Sequence, residues 1–223
     1  NQSCADDLYN LRDNHYNSFV DLLRDIYEKT SVNSRQLDIL IKLDFFDEFG
    51  NAKELLRLVK MYDMFGTAKT LKKEKLANSD VVKAIVERHS IGVTKAGKES
   101  KSYTQLDNSA IMNECETLIM SLGIKPMTIK EKAEIQKEYM GYVDIATGKQ
   151  EDRPKLYILD VKTLKSKASG RVWARQITAQ SIGSGKQSNY TITSKNYHEE
   201  FQVGDVILCK HLEKQKDYWH ITN

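Results

Sequence analysis

The sequence predicts an α+β protein in which the helices come first and the strands last. Apolar residues recur at three- and four-residue spacing through the first part of the chain, up to Met140. From Gly141 onward the pattern becomes alternation, broken by short Gly-containing turns. Cap residues stand in front of several of the helical runs. With 223 residues, the chain is long enough for two small domains or one large one.

Taken in order, Ser3 to Glu28 reads as one helix, opened by Ser3 and Asp6 as a capping box. Leu8, Leu11, Phe19, Leu22, Leu23 and Ile26 form its apolar stripe. A loop from Lys29 to Asn33 leads into the central stretch, SRQLDILIKLDFFDEFGNAKELLRLVKMYDMFG, Ser34 to Gly66. This is a helix carrying Leu37, Leu40, Ile41 and Leu43, a tight turn, and a second helix carrying Leu55, Leu56 and Val59. In the turn, Phe45, Phe46 and Phe49 surround Asp47 and Glu48, and Gly50 opens backbone conformations closed to other residues. Asn51 and Glu54 have capping-box spacing. Such a turn offers a helix N-terminus whose free N–H groups attract phosphate.

Gly66 ends the second helix, and Lys69, Lys72, Lys73 and Lys75 follow as a solvated face. Ser79-Asp80 opens a short helix through Val81, Val82, Ile85 and Val86. Ser90 to Leu106, rich in Gly, Lys, Ser and Thr, reads as an exposed linker. Ala110 to Leu122 is a helix closed by Gly123, and Pro126 bars its continuation. Thr128 and Glu131 then cap a helix from Ile129 to Met140. Five strands follow: Leu156–Val161, Val172–Ile182, Tyr190–Thr193, Val206–Cys209 and Tyr218–Ile221. They suit a small barrel, and a sandwich or an SH3-like barrel would match the same pattern.

The net charge of +3 says little, but residues 139–223 hold 13 Lys and Arg against nine Asp and Glu. The C-terminal part is therefore mildly basic, which fits nucleic acid but is also common on ordinary domains. Cys4, Cys115 and Cys209 are odd in number and far apart, which argues against a disulfide framework and for a reducing cytoplasm. No apolar run approaches a membrane span, and the polar opening NQSCADD is unlike a signal peptide. Gly183-Ser184-Gly185-Lys186 lacks the spacing of a P-loop and reads as a hairpin turn. His15, His89, His198, His211 and His220 are scattered, with no Cys or His at metal-ligand spacing. No metal, cofactor or catalytic group is expected.

The words LDILIKLDFFDEFGNAKELL resemble the tandem helix-hairpin-helix region of the bacterial DNA polymerase III alpha subunit. The resemblance runs back through ADDLYNLRDNHYNSFVDLLRDI (Ala5 to Ile26) and forward through EIQKEYMGYVDI, RPKLYILDV and FQVGDVI. It implies a fragment cut after the catalytic domains, with the polymerase active site elsewhere in the parent. It also implies a helix-hairpin-helix-type domain over 1–66, a helical connector over 67–140, and an OB-like five-stranded β-barrel over 141–223. Such a fragment would position duplex and single-stranded DNA for synthesis. The alternative is a scaffold that docks other replisome subunits without touching DNA.

Three candidate sites follow. The turn Phe49, Gly50, Asn51, Ala52 and Lys53 would grip the DNA backbone, although Asp47 and Glu48 repel phosphate and the hairpin could equally serve as core. Met61, Asp63, Met64 and Phe65 stand where the family carries a clamp-binding motif; Met61 replaces the usual Gln, and a helical Met64-Phe65 pair would be core instead. Lys162, Lys165, Lys167 and Arg171 run into Trp173 and Arg175, the charge and aromatic surface an OB barrel uses for single strands. Alternation puts Trp173, Arg175 and Ile177 on one face and Val172, Ala174 and Gln176 on the other, one of them core.

Overall fold

A computed structural model describes residues 2–193, 200–209, 211–215 and 218–222. The chain forms two compact units, Asn1–Pro126 and Met127–Asn223. The boundaries expected at 66 and 140 differ from this division. The reason is packing: the helix before Pro126 joins the first core, and the helix after it joins the second.

The first unit is built on α1 (Gln2–Leu11), α2 (Phe19–Lys29), α3 (Ser34–Lys42) and α4 (Ala52–Phe65). The single helix expected from Ser3 to Glu28 is two. α1 ends at Leu11, and Ser18 restarts the chain by accepting a hydrogen bond from the Asp21 N–H. The intervening RDNHYNS supplies the Asp, Asn and Ser that compete with helical hydrogen bonding. The Glu116 carboxylate, from much later in the chain, also accepts from the N–H groups of Phe19 and Val20, at 2.8 and 3.4 Å. At the start of the chain Ser3 lies inside α1 instead of capping it, and the Gln2 amide donates to Asp6 at 2.8 Å.

β1 (Thr70–Lys72), α5 (Asp80–Arg88), β2 (Ile91–Val93), β3 (Glu99–Thr104) and α6 (Asn108–Ser121) complete the unit. The stretch expected to be an exposed linker is a β-hairpin, and β3 pairs antiparallel with both β1 and β2. Tyr103 anchors it: the ring is buried, and its hydroxyl donates to Glu87 at 2.8 Å. Burial, helped by Glu87, pushes the phenol up to about 12. Lys73 of the lysine cluster lies over the Tyr103 ring and pairs with Glu99. The core gathers Phe19, Leu23, Ile26, Leu37, Ile41, Leu55, Leu58, Phe65, Ile111 and Met112, and the buried thiol of Cys115 is pushed up to about 11 by burial.

The second unit starts with α7 (Ile129–Met140), opened by the expected Thr128–Glu131 box and closed by Gly141. β4 (Lys155–Lys165), β5 (Val172–Ser181), β6 (Gln187–Thr193), β7 (Val206–Leu208), β8 (His211–Gln215) and β9 (Tyr218–Thr222) form one sheet in the order β7-β4-β5-β6-β9-β8. Among its described strands every pairing is antiparallel except β6 with β9. Six strands are described where five were expected, because the segment around Cys209 supplies two, one at each end of the order. Leu208 and His211 are three residues apart, so these outer strands can lie at most about 11 Å apart where the chain joins them. The sheet must curl.

Two slips in register assist the curl. Ile158 faces Ala179 while Asp160 faces Thr178, leaving Leu159 without an opposite residue; Leu164 faces Ala174 while Lys165 faces Val172, leaving Trp173 without one. Inside the curl lie Leu156, Ile158, Ile177, Ala179, Tyr190, Ile192, Phe201, Cys209 and Ile221, with Val161 packed against them. On the outside, Tyr157, Ile182 and Leu159 pack with Ala133 of α7 and with Ile145.

Arg88 and His89 of the first unit both reach Glu114 of α6, the histidine Nε2 at 2.5 Å. The Arg88 guanidinium, and after it His89, hold the Glu114 carboxyl below the ordinary range. A folded-state value depressed in this way gives stability that is complete above the unfolded-state value and is lost as pH falls through the folded one. Glu114→Gln should therefore flatten the fall in Tm between about pH 5 and pH 3 in thermal melts. An unchanged acid slope would show that the cluster does not couple to folding.

Candidate functional site

The β4–β5 hairpin carries Lys165, Lys167 and Arg171, all exposed. Beyond the last strand pair, Lys165 with Val172, the loop is closed by its own backbone. The Ser166 N–H donates to the Arg171 carbonyl and the Gly170 N–H to the Ser166 carbonyl, both at 2.8 Å. Gly170 turns the chain at a φ of 66°, a conformation that favours glycine. The Ser166 and Ser169 hydroxyls accept from the N–H groups of Ser169 and Arg171. The loop thus has a defined shape, and its polar backbone is largely satisfied from within.

Lys165, Lys167 and Arg171 stand exposed on this scaffold, and none has an ion-pair partner among the described residues. Trp173 is 49% exposed, so its ring is outside the core. The expectation that one whole face of β5 is core is corrected: Ile177 is buried on one face and Ala174 on the other. The register is regular from Ala174 to Ile177, so both faces of β5 bury residues there, while the slip takes Trp173 out of the count that would set it beside Ile177. Arg175 is less available. It lies opposite Thr163 and approaches Glu200 at 3.7 Å. Lys162 is exposed on the outer face, opposite Gln176 and 4.0 Å from Asp160.

The helical turn offers less than its sequence suggests. Gly50 adopts φ 149°, and a Cβ there would stand 3.1 Å from the Glu54 carboxylate and 3.2 Å from the Met120 side chain. The Asn51 side chain accepts from the N–H groups of Lys53 and Glu54, and Glu54 accepts from the Asn51 N–H at 3.0 Å. The Asn51 amide donates to the Ile124 carbonyl. The donors expected to be free at Phe49 to Lys53 are mostly taken, those of Asn51 and Lys53 by the capping box and those of Phe49 and Gly50 by the Phe46 and Asp47 carbonyls. A phosphate would have to displace the cap beside the Glu54 carboxylate. Phe49 and Phe46 pack against the Phe19 ring, at 6.0 and 5.8 Å between centroids, which makes the turn a structural joint.

In the clamp-type stretch the helix favours the core alternative for Phe65. Met61, Asp63, Met64 and Phe65 all lie within α4. Phe65 is fully buried, Met61 and Met64 are half-buried, and Asp63 accepts from the Tyr27 hydroxyl at 2.7 Å. A side chain sealed in its own core cannot anchor in a partner's pocket without unfolding the helix end.

Two features were missed from sequence. One is a groove of about 700 Å³ in the first unit, between α1 and the Phe45–Phe49 turn. It exists because the first helix breaks, which the apolar periodicity concealed. The other is a pocket of about 200 Å³ at one end of the curled sheet, bordered by the Gly183–Lys186 turn.

Among the described residues, no group of three or more His, Cys, Asp or Glu is placed to hold a metal ion, and His198 lies outside those residues. No described helix is long and apolar enough to cross a membrane. No protein-family model, curated protein or solved structure matches the chain.

Replacing Phe65 by Ala should cost about 3–5 kcal/mol of stability, as for other large buried rings, and Met64→Ala distinctly less. Denaturant unfolding measures both. Equal and small effects would return the pair to the candidate binding surfaces.

Proposed function

We propose that the chain is a non-catalytic nucleic-acid-holding portion of a replicative polymerase of the DNA polymerase III alpha type, acting in the cytoplasm. In this reading the curled sheet is an OB-like barrel, with β7 and β8 as one strand interrupted near Cys209. The pairing order supports it. A first long strand pairs with the second and with part of the fourth, and the third runs parallel to the last.

The observation that carries the reading is the β4–β5 hairpin. Three exposed cations without ion-pair partners among the described residues stand within a few residues of an exposed indole, on a loop fixed by its own hydrogen bonds. Cations neutralise phosphates whatever the sequence, and an aromatic face stacks on any base. That combination suits a polymerase accessory, which must accept every template. The helical hairpin serves here as a packing joint.

Lys165→Glu combined with Lys167→Glu should weaken binding of single-stranded oligonucleotides at least about tenfold and lower the slope of log K against log salt by about 1.4. Fluorescence anisotropy at several salt concentrations reads both. Binding and slope equal to the parent's would exclude the hairpin. Absence of any oligonucleotide binding by the parent chain would favour a scaffold that docks other replisome subunits.

A further inference from the structure

The pocket at the end of the curled sheet has a chemistry of its own. Its rim is the Gly183–Lys186 turn, locked against residues 147–155. The Gly183 N–H donates to the Asp152 carbonyl at 3.1 Å, the Ile182 N–H to the Lys155 carbonyl at 2.9 Å, and the Ser181 hydroxyl to the Arg153 carbonyl at 3.0 Å. The approach is so close that a Cβ on Gly183 would stand 2.4 Å from the Arg153 nitrogen and 2.5 Å from the Lys149 oxygen. Only glycine fits there, and the rim is accordingly rigid.

The backbone of this turn is not an anion nest. The Gly185 N–H is taken by the Ser181 carbonyl, and those of Ser184 and Lys186 by serine hydroxyls. Any anion must be met by side chains. Two are at hand: Arg153 and Lys186 line the pocket, are exposed, and have no ion-pair partner among the described residues. Ser184 and Ser188 also line it. The wall is aromatic, because Trp219 lies in register with Tyr190. Tyr190 is buried inside the barrel, while Trp219 keeps 37% of its surface exposed.

Two exposed cations, two lining serines and an accessible indole on one wall fit a phosphorylated planar ring. The volume of about 200 Å³ is below the roughly 300–1,000 Å³ of sites that enclose whole small-molecule ligands. It suits one base, with its phosphate left at the rim. We propose that this pocket binds a single nucleotide unit, the ring against Trp219 and the phosphate between Arg153 and Lys186. The site rests on the nucleic-acid reading of the barrel but uses none of the hairpin cations. The unit is either free or the end of a strand, and the chemistry is shared.

The test uses the full chain carrying Trp173→Phe, so that Trp219 is the only indole. Thymidine 5′-phosphate and a phosphorylated oligothymidylate are titrated separately, with thymidine and inorganic phosphate as references. Quenching of Trp219 by either phosphorylated titrant is expected. Arg153→Ala with Lys186→Ala should weaken it about tenfold or more at unchanged Tm. Lys186→Glu alone serves as the second variant and should weaken it too. Quenching by the mononucleotide marks a site for free nucleotides, and quenching by the oligomer alone marks a strand end. The proposal falls if neither quenches Trp219, or if the double variant quenches as well as its parent. Lys165→Glu with Lys167→Glu separates the two readings: it should leave quenching by the mononucleotide intact even where strand binding is lost.

Discussion

A six-stranded sheet whose first and last strands are chain neighbours has to roll up on itself, and most of the second unit follows from that constraint. Rolling needs local relief. The slips at Leu159 and Trp173 supply it, and each also redirects a side chain. Leu159 joins Tyr157 in the outer cluster beneath Ala133, while Val161 resumes the inward row. Trp173 is left outside the core beside the hairpin cations. The inward row then runs toward the pocket end, where Leu156 and Tyr190 meet Trp219. The two surfaces argued to meet nucleic acid are thus consequences of how one sheet closes.

The first unit is governed by satisfaction of helix ends. Asn33 with Gln36 and Asn51 with Glu54 form reciprocal boxes, Ser79 and Asp107 cap α5 and α6, and Glu116 reaches across to α2. A helix end already bonded to its own side chains has little left for a ligand. This is why a turn with the sequence appearance of a phosphate grip serves as a joint between aromatic rings.

Much of this was legible in advance, and the exceptions have physical causes. The caps at Asn51, Ser79 and Thr128 were readable because cap chemistry is local, and the change to strands was readable because the helical spacing stops and short Gly-containing turns begin. The break after Leu11 was not, since the apolar residues on either side keep helical spacing across it. Nor was the β2–β3 hairpin, because its lysines and serines resemble a linker and only the burial of Tyr103 anchors it. Local propensity carries no information on long-range packing. At Trp173 the two-residue period failed because a bulge resets the count. Phe65 was ambiguous until the extent of α4 was known, since the same Met-Phe pair suits a core or a partner's pocket. The pocket rim could not be foreseen, because it depends on two backbones meeting at Gly183.

The central claim is that polynucleotide is held by the rolled sheet and its first hairpin, with the helical turn left out. Hydrogen–deuterium exchange on the full chain, with and without a saturating single strand of about 15 nucleotides, tests it most directly. The account predicts new protection over residues 162–175 and none over 49–53. Protection confined to 49–53, or no change in either region while the strand is bound, would contradict it.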